Sequence, residues 1–341
     1  MSGRSGGGFL GLLTSLVWTS ALLALALAIF LVWEIHRPGP QARDTDFVIA
    51  RGASVMDIAR ELKARGAIRD VVVFRLASEM YAGRGALKAG TYEVEVGDSL
   101  RDVLEKLEAG RMKLLPITVA EGLTSAMIVE AIGKSTSLTG PTPKVPDEGS
   151  LLPETYMVEP GSTRAEVVAR MRADQQKLID ELWPRRAADL PFRTPEEALT
   201  LASIVEKETG VASERPRVAA VFVNRLRRGI PLQSDPTIIY GITKGRPLGR
   251  GIRKSELERR TAYNTYFIPA LPPTPIANPG RDAIAAVLNP PQTNDLYFVA
   301  SGGGGHVFAA TIEEHNRNVV AWREIERRRA AQAKTEPPKA R

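Results

Sequence analysis

Residues Phe9 to Trp33 form an unbroken run with no charge and no proline, built mostly of Leu, Ala, Val, Ile and Phe. Read as a helix, the run reaches about 37 Å, more than the roughly 30 Å hydrocarbon core of a bilayer. Trp33 ends it at a level that suits an interfacial ring, and Glu34, His36 and Arg37 follow. Only Arg4 and the terminal amine precede it, a weak orientation signal. Delivery of a large body behind a first hydrophobic segment favours the N-terminus inside and the C-terminus outside. The expectation is a cytoplasmic stretch over 1–8, a transmembrane helix over 9–33, a linker over 34–45 and a periplasmic body held on a bacterial inner membrane. A cleaved signal peptide is the alternative, since Ala24-Leu25-Ala26 and Ala26-Leu27-Ala28 resemble cleavage sites. Ile29 to Trp33 continue the apolar run past both, and cleavage there leaves an apolar new terminus.

What lies behind the run is bounded by what it lacks. The chain has no cysteine, which removes disulfide scaffolds, thiolate metal sites and cysteine nucleophiles. His36, His306 and His315 are far apart, so no metal or other cofactor is expected. Carboxylates remain the main chemical resource. The formal charge is +7, and Trp322 to Arg341 contribute seven Lys or Arg against three Glu. A basic tail over 326–341 at a helix end reads as solvated. No recognition motif accompanies it, so no nucleic acid is expected.

Past Pro38-Gly39-Pro40 a short pattern recurs. Phe47 to Ile49, Gly52 and Ser54 lead into Val55, Ile58 and Leu62; Tyr92 to Val94, Gly97 and Ser99 lead into Leu100, Val103 and Leu107. Weaker copies start at Gly122, with Thr124, Ile128 and Ile132, and at Gly161, with Thr163, Val167 and Met171. Each reads as a strand, a glycine turn and a helix whose Ser or Thr is the N-cap. Ser54 with Asp57, Ser99 with Asp102 and Thr163 with Glu166 complete capping boxes. This module resembles the LysM type of glycan-binding domain, most clearly over Val48 to Ile68, and a LysM-like region is expected over 46–175. Plain turn-and-cap chemistry explains a single copy equally well, and sugar binding does not follow from architecture. A Ser/Thr/Pro/Gly-rich stretch between Lys134 and Ser150 reads as a mobile loop or linker.

Thr194-Pro195-Glu196-Glu197 is a strong helix start. Ala198 to Val205 are apolar or small around nearly the whole circumference, which predicts a buried helix. It closes on Glu206, Lys207, Glu208 and Thr209, with Gly210 expected as the C-terminal cap. Burial and the negative end of the helix dipole both raise the pKa of an acid placed there, as a general acid requires. Two positions apart on a helix point about 200° away from each other, so Glu206 and Glu208 do not share one cleft. Pattern alone does not choose between them, and a solvated helix end is the plain alternative.

The wider context bears on the choice. Ala202-Ser-Ile-Val-Glu206-Lys-Glu-Thr209, Glu214-Arg215, Val221-Phe-Val-Asn-Arg-Leu226 and Leu232-Gln-Ser-Asp-Pro-Thr237 with Ile239-Tyr240-Gly241 resemble the endolytic murein transglycosylases, the MltG or YceG-like family. So do Thr261-Ala-Tyr-Asn-Thr-Tyr266, Leu271-Pro-Pro273, Asn278-Pro-Gly280, Leu296-Tyr-Phe-Val299, and Gly305-His306 with Phe308 and His315. The resemblance runs in order from about residue 46 to 325. It implies an α+β chain with one membrane span, a LysM-like region and a mixed α/β catalytic domain over 190–325.

By position, the resemblance puts the family's catalytic acid on Glu206. It implies cleavage of MurNAc-GlcNAc bonds inside uncrosslinked peptidoglycan strands, ending glycan elongation. The muramic acid's C6 hydroxyl attacks its own C1, giving a 1,6-anhydro end without water. One carboxylate then serves as acid and base in turn, and the paired carboxylates of ordinary glycosidases are not required. The implied partners are the glycan strand and the penicillin-binding proteins that polymerise it. Gln233, Ser234 and Asp235 follow a helix capped by Ser213 and ended by Gly229, and precede a strand-like Thr237 to Tyr240; they carry groups that hydrogen-bond sugar hydroxyls. Tyr240, Tyr263, Asn264 and Tyr266 offer the aromatic faces and amides that line saccharide grooves. A turn or core role stays open for each. His306, on a hairpin after Gly302 to Gly305, and His315, in a helix capped by Thr311, read as structural. A membrane-anchored glycan-binding protein without activity and a muramidase that uses water remain as rivals.

Overall fold

The structure is a computed structural model that describes residues 7–81 and 87–335, with side chains over 14–81 and 87–331. The first residues, the end of the basic tail beyond 335 and residues 82–86 lie outside it. In chain order the helices are α1 Gly7–His36, α2 Val55–Ala64, α3 Val71–Tyr81, α4 Leu100–Ala109, α5 Ser125–Lys134, α6 Arg164–Leu182, α7 Pro195–Glu208, α8 Arg215–Arg227, α9 Asp235–Thr243, α10 Lys254–Leu257, α11 Arg281–Leu288 and α12 Ile312–Thr335. The strands are β1 Thr45–Ile49, β2 Gly90–Val94, β3 Leu115–Thr118, β4 Thr155–Val158, β5 Tyr297–Ala300 and β6 His306–Ala309. They pair two by two, β1 with β2, β3 with β4 and β5 with β6. The architecture is α+β, as expected.

Two compact units divide the chain, Met1–Leu115 with Met157–Pro160, and Pro116–Tyr156 with Gly161–Arg341. The third and fourth copies of the repeat, expected within one region over 46–175, thus fall in the second unit.

In the first unit β1 and β2 are antiparallel, with Phe47 opposite Tyr92 and their rings stacked at 5.8 Å. The two helices between them, α2 and α3, and α4 behind them close one core around Leu62, Phe74, Leu104 and Leu107. Over Thr14–His36, α1 is long and apolar enough to cross a membrane, and its apolar side chains down to Trp33 are exposed except for the half-buried Leu31. Only its last turn packs, through the fully buried Ile35.

The repeat chemistry is present in all four copies. Ser54, Ser99, Thr124 and Thr163 each cap a helix, three of them with a complete box. Gly52, Gly97, Gly122 and Gly161 all turn with positive φ.

The second unit is built around α7, where Ala198 and Thr200 through Val205 are buried. It packs on α8 and α11 through Leu201, Ile204, Val218, Phe222, Ile284 and Val287. Ser203 satisfies itself inside this core, donating to the Thr200 carbonyl and accepting from the Ile276 N–H at 2.9 Å.

Four local expectations change. Thr209, not Gly210, ends α7, in an extended conformation, and Gly210 has no left-handed φ. Ser213 does not cap α8; Glu214 occupies that position without a side-chain cap, while Gly229 turns with positive φ just beyond the helix end. Thr237 to Tyr240, read as a strand from its β-branched residues, lies in α9. The Asp235-Pro236 start fixes the helix, and the Thr237 hydroxyl returns to the Ser234 carbonyl at 2.7 Å. The 134–150 stretch is anchored rather than free: Leu138 is buried, Thr139 bridges Thr163, and Glu148 reaches the start of α5.

The cap of α4 gives a test. Ser99 is nearly buried and exchanges bonds with Asp102 in both directions. Ser99→Ala is expected to cost about 1 kcal/mol, read as a lower urea midpoint with an unchanged slope.

Candidate active site

The last turn of α7 sends its two acids apart, as their spacing requires. Glu206 lies with a side chain only 5% exposed. Its Oε2 accepts the Gly280 N–H at 2.9 Å and its Oε1 faces Arg215 Nη2 at 3.3 Å. The same Nη2 meets Glu121 Oε2 at 3.4 Å, and Nη1 meets Asp282 Oδ2 at 3.4 Å. One buried guanidinium therefore serves three carboxylates, of which Glu206 is enclosed, Glu121 about half open and Asp282 exposed.

Two glycines border this cluster. A side chain at Gly280 would overlap the Glu121 carboxylate, while Gly122 turns with φ +73° against Glu206 Cγ and Lys207 Cδ, which a Cβ there would only touch, at 3.6 and 3.5 Å. Lys207 extends across the turn to the Gly122 carbonyl at 3.2 Å.

The segments carrying Glu121 and Gly280 are held by Asn278, which is fully buried. Its backbone exchanges bonds with Gly122 and Leu123. Its side-chain oxygen accepts the Leu151 N–H at 2.9 Å, and its amide donates to the Leu123 carbonyl, Ser125 Oγ and Glu148 Oε1, each at 3.1 Å. Glu148 also accepts the Ser125 N–H at 2.7 Å and the Tyr240 hydroxyl at 3.2 Å. Burial raises its carboxyl above the usual range, against the pull of these donors. For Glu121, too, burial raises the carboxyl, the neighbouring Glu206 adds to the rise, and Arg215 opposes it.

On the other face, Glu208 accepts the Ser234 hydroxyl at 2.5 Å. Burial pushes its carboxyl up to about 7, with the Ser234 bond acting in the opposite sense. The rise expected for an acid at this helix end is thus found at Glu208.

The other expected site residues divide. A cleft of about 310 Å³ is lined by Gly122, Lys207, Tyr240, Ile239, Arg246 and Ile276 among others. Of the proposed sugar contacts only Tyr240 lines it, with Tyr263 packed against Tyr240 at 5.1 Å between ring centres. Gln233 and Asp235 are exposed, and Asp235 accepts the Tyr266 hydroxyl at 2.7 Å. Ser234 and Asn264 are corrections. Both are buried, Ser234 committed to Glu208, and Asn264 spending its amide on the Leu257 and Arg259 carbonyls, so neither is free for a sugar. His306 binds Glu214 through its backbone N–H at 2.9 Å and its ring Nδ1 at 2.8 Å, and His315 stacks on Tyr297. His306 lies on the expected hairpin and His315 in the expected helix.

Glu121, Glu148, Arg215 and Asn278 were not singled out from the sequence. Arg215 and Asn278 stood inside the resemblance, and Glu121 stood directly before the turn glycine of the third copy; only the fold brings them to Glu206.

Residues 47–321 match the YceG-like family. The chain belongs to that family. The endolytic murein transglycosylase of Bacillus subtilis is 31% identical over 300 residues, covering 79% of this chain and 82% of that one. The endolytic murein transglycosylase of Streptococcus pneumoniae strain D39 is 30% identical over 321 residues, covering 80% of this chain and 57% of its own longer length. The crystal structure of a yceG-like protein of Listeria monocytogenes is 25% identical, covers 81% of this chain and 99% of its own, and superposes with a TM-score of 0.49. The Glu206 cluster and the cleft beside it lie within the span of the YceG-like match.

Glu208 gives a pH test of this YceG-like site. Its carboxyl goes from 4.5 to about 7 on folding. An acid whose folded pKa is raised stabilises fully below the unfolded value and loses that contribution as pH rises through the folded one. Thermal stability is therefore expected to fall between pH 4.5 and 7 and then level, and Glu208→Gln to shrink that fall while keeping an acceptor for Ser234.

Proposed function

We propose that this chain is a membrane-anchored lytic transglycosylase that cuts MurNAc-GlcNAc bonds inside uncrosslinked peptidoglycan strands and leaves 1,6-anhydro-MurNAc ends. Its family and the names of its relatives make it an enzyme, a lyase of the lytic transglycosylase class. The observation that carries the chemistry is the setting of Glu206: an enclosed carboxylate with fixed donors, beside a cleft with an aromatic wall.

In this reaction the C6 hydroxyl of the muramic acid attacks C1 as the bond to the next sugar breaks. The nucleophile is part of the substrate, so the protein needs only to move protons and stabilise the charge that develops at C1. Glu206 takes both roles in this reading, supported by its fixed donors, and the shielding of its side chain disfavours water as a competing nucleophile. Tyr263, half-buried and packed on the buried Tyr240, offers a sugar face a stacking surface, with the Lys244 ammonium over both rings. Gln233, Asp235 and Tyr266 extend the polar surface for hydroxyls.

The strand, two helices and strand of the first unit support reading it as LysM-like, with glycan as its expected ligand. The exposed apolar length of α1 supports an inner-membrane anchor with the body in the periplasm. There the enzyme meets strands as penicillin-binding synthases extrude them, and cutting ends their elongation.

Digestion of uncrosslinked strands followed by mass spectrometry tests the chemistry. Anhydro ends are expected from the wild type, and Glu206→Gln is expected to lower their release by at least about 100-fold. Reducing ends in their place would make the enzyme a hydrolase, and no release at all would leave a binding protein. For the anchor, alkaline phosphatase fused after Arg341 is expected to be active, since it matures only outside the cytoplasm; a silent fusion reverses the orientation.

A further inference from the structure

We infer that the two proton transfers are divided between two carboxylates: Glu121 gives its proton to the leaving sugar oxygen, and Glu206 takes the proton of the attacking C6 hydroxyl. This rests on the transglycosylase reading above and changes its single-carboxylate form. The spacing argument that separates Glu206 from Glu208 concerns one helix only. Glu121 comes from the third strand-turn-helix copy, and Arg215 joins it to Glu206.

Three observations support the division. Glu121 and Glu206 meet one nitrogen, Arg215 Nη2, at 3.4 and 3.3 Å. Their oxygens are therefore no more than roughly 7 Å apart, a bound that admits the separations at which paired carboxylates act on a glycosidic bond. Second, Glu121, Glu206 and the exposed Asp282 meet the same guanidinium, and the neighbouring acids add to burial in raising the Glu121 carboxyl.

Third, the surroundings of the two carboxylates differ. Both oxygens of Glu206 face fixed donors, the Gly280 N–H and Arg215. Each oxygen keeps one lone pair with which to accept from substrate. Glu121 instead has Oε1 over Gly280 with no hydrogen bond among the described residues, and its side chain is 43% exposed, open to a leaving group. The charged groups facing it are Glu206 on α7, Arg215 on α8, Asp282 on α11 and Glu154 just before β4. Burial and the three acids favour its protonated form, and Arg215 alone opposes.

The step balances. The C1–O4 bond breaks with its electron pair going to O4, which takes the proton of Glu121. The C6 oxygen bonds to C1 and its proton passes to Glu206. Glu121 ends ionised and Glu206 protonated, and one proton exchange between them resets the site without consuming water.

The test uses the full chain in detergent with two substrates, uncrosslinked glycan strands and an aryl glycoside of a short MurNAc-ended oligomer, whose phenol departs without a proton. Glu121→Gln is expected to slow strand cleavage about 100- to 10,000-fold and to remove the alkaline limb of its pH profile. It is expected to keep aryl-glycoside turnover within about tenfold, whereas Glu206→Gln loses both substrates. Glu121→Asp, which keeps the carboxyl, should restore part of the strand activity and the alkaline limb. Strand cleavage by Glu121→Gln at the wild-type rate, or with an unchanged alkaline limb, overturns the inference. So does an equal loss on both substrates, which would mark a structural role. None of these outcomes bears on the transglycosylase reading, which fails only if the wild type yields reducing ends or nothing.

Discussion

The site depends on one amide. Asn278 lies fully buried between three segments distant in sequence: the turn before α5, the connection at Glu148 to Leu151, and the loop that leads to α11. A buried side-chain amide is costly unless each of its groups is satisfied, and this one is satisfied only when all three segments are in register. The arrangement fixes Gly280 beneath Glu206, brings Glu121 to Arg215, and sets Glu148 against Tyr240. Positioning of the acids is thus enforced by a neutral group.

Around that frame, the negative end of α7 carries two acids with two different solutions. Glu206 receives a backbone N–H and a guanidinium, one donor to each carboxylate oxygen. Glu208 receives one hydroxyl, and its carboxyl rises to about 7. A helix end that had to support two charges in an apolar setting would be strained by both burial and dipole. Sending one acid to a cation and letting the other hold its proton into the neutral range relieves it.

Much of this was legible in the sequence because it is local. The N-caps and turn glycines of the four repeat copies, their three boxes, the all-round apolar face of α7 and the hairpin bearing His306 are set by residues within a turn or two, and they stand where the pattern puts them. The errors occur where tertiary contact competes with local preference. Thr237 to Tyr240 have strand-forming side chains, yet a proline start and a buried Thr237 make them helical. Ser234 and Asn264 have sugar-binding chemistry, but the fold takes it for Glu208 and for a turn. Arg215 has the composition of a surface helix residue, and nothing in its neighbourhood in sequence announces that it will be buried among three acids.

The third copy of the repeat shows how a structural module becomes part of a site. In the other three copies the turn glycine faces open space, and an acid at the third helical position closes the box. In the third, Gly122 packs against Glu206 and Lys207, and the box position is Met127. The missing acid is replaced from a distance: Glu148 accepts the Ser125 N–H at the start of α5, where a helix favours negative charge. Local self-sufficiency has been exchanged for a bond that ties α5 to the Asn278 frame. Departures of this kind from a local rule collect where a fold does something besides hold together. The residue that precedes the turn glycine differs accordingly. It is Arg51, Val96 or Pro160 in the other copies and Glu121 in this one, the carboxylate that shares Arg215 with Glu206.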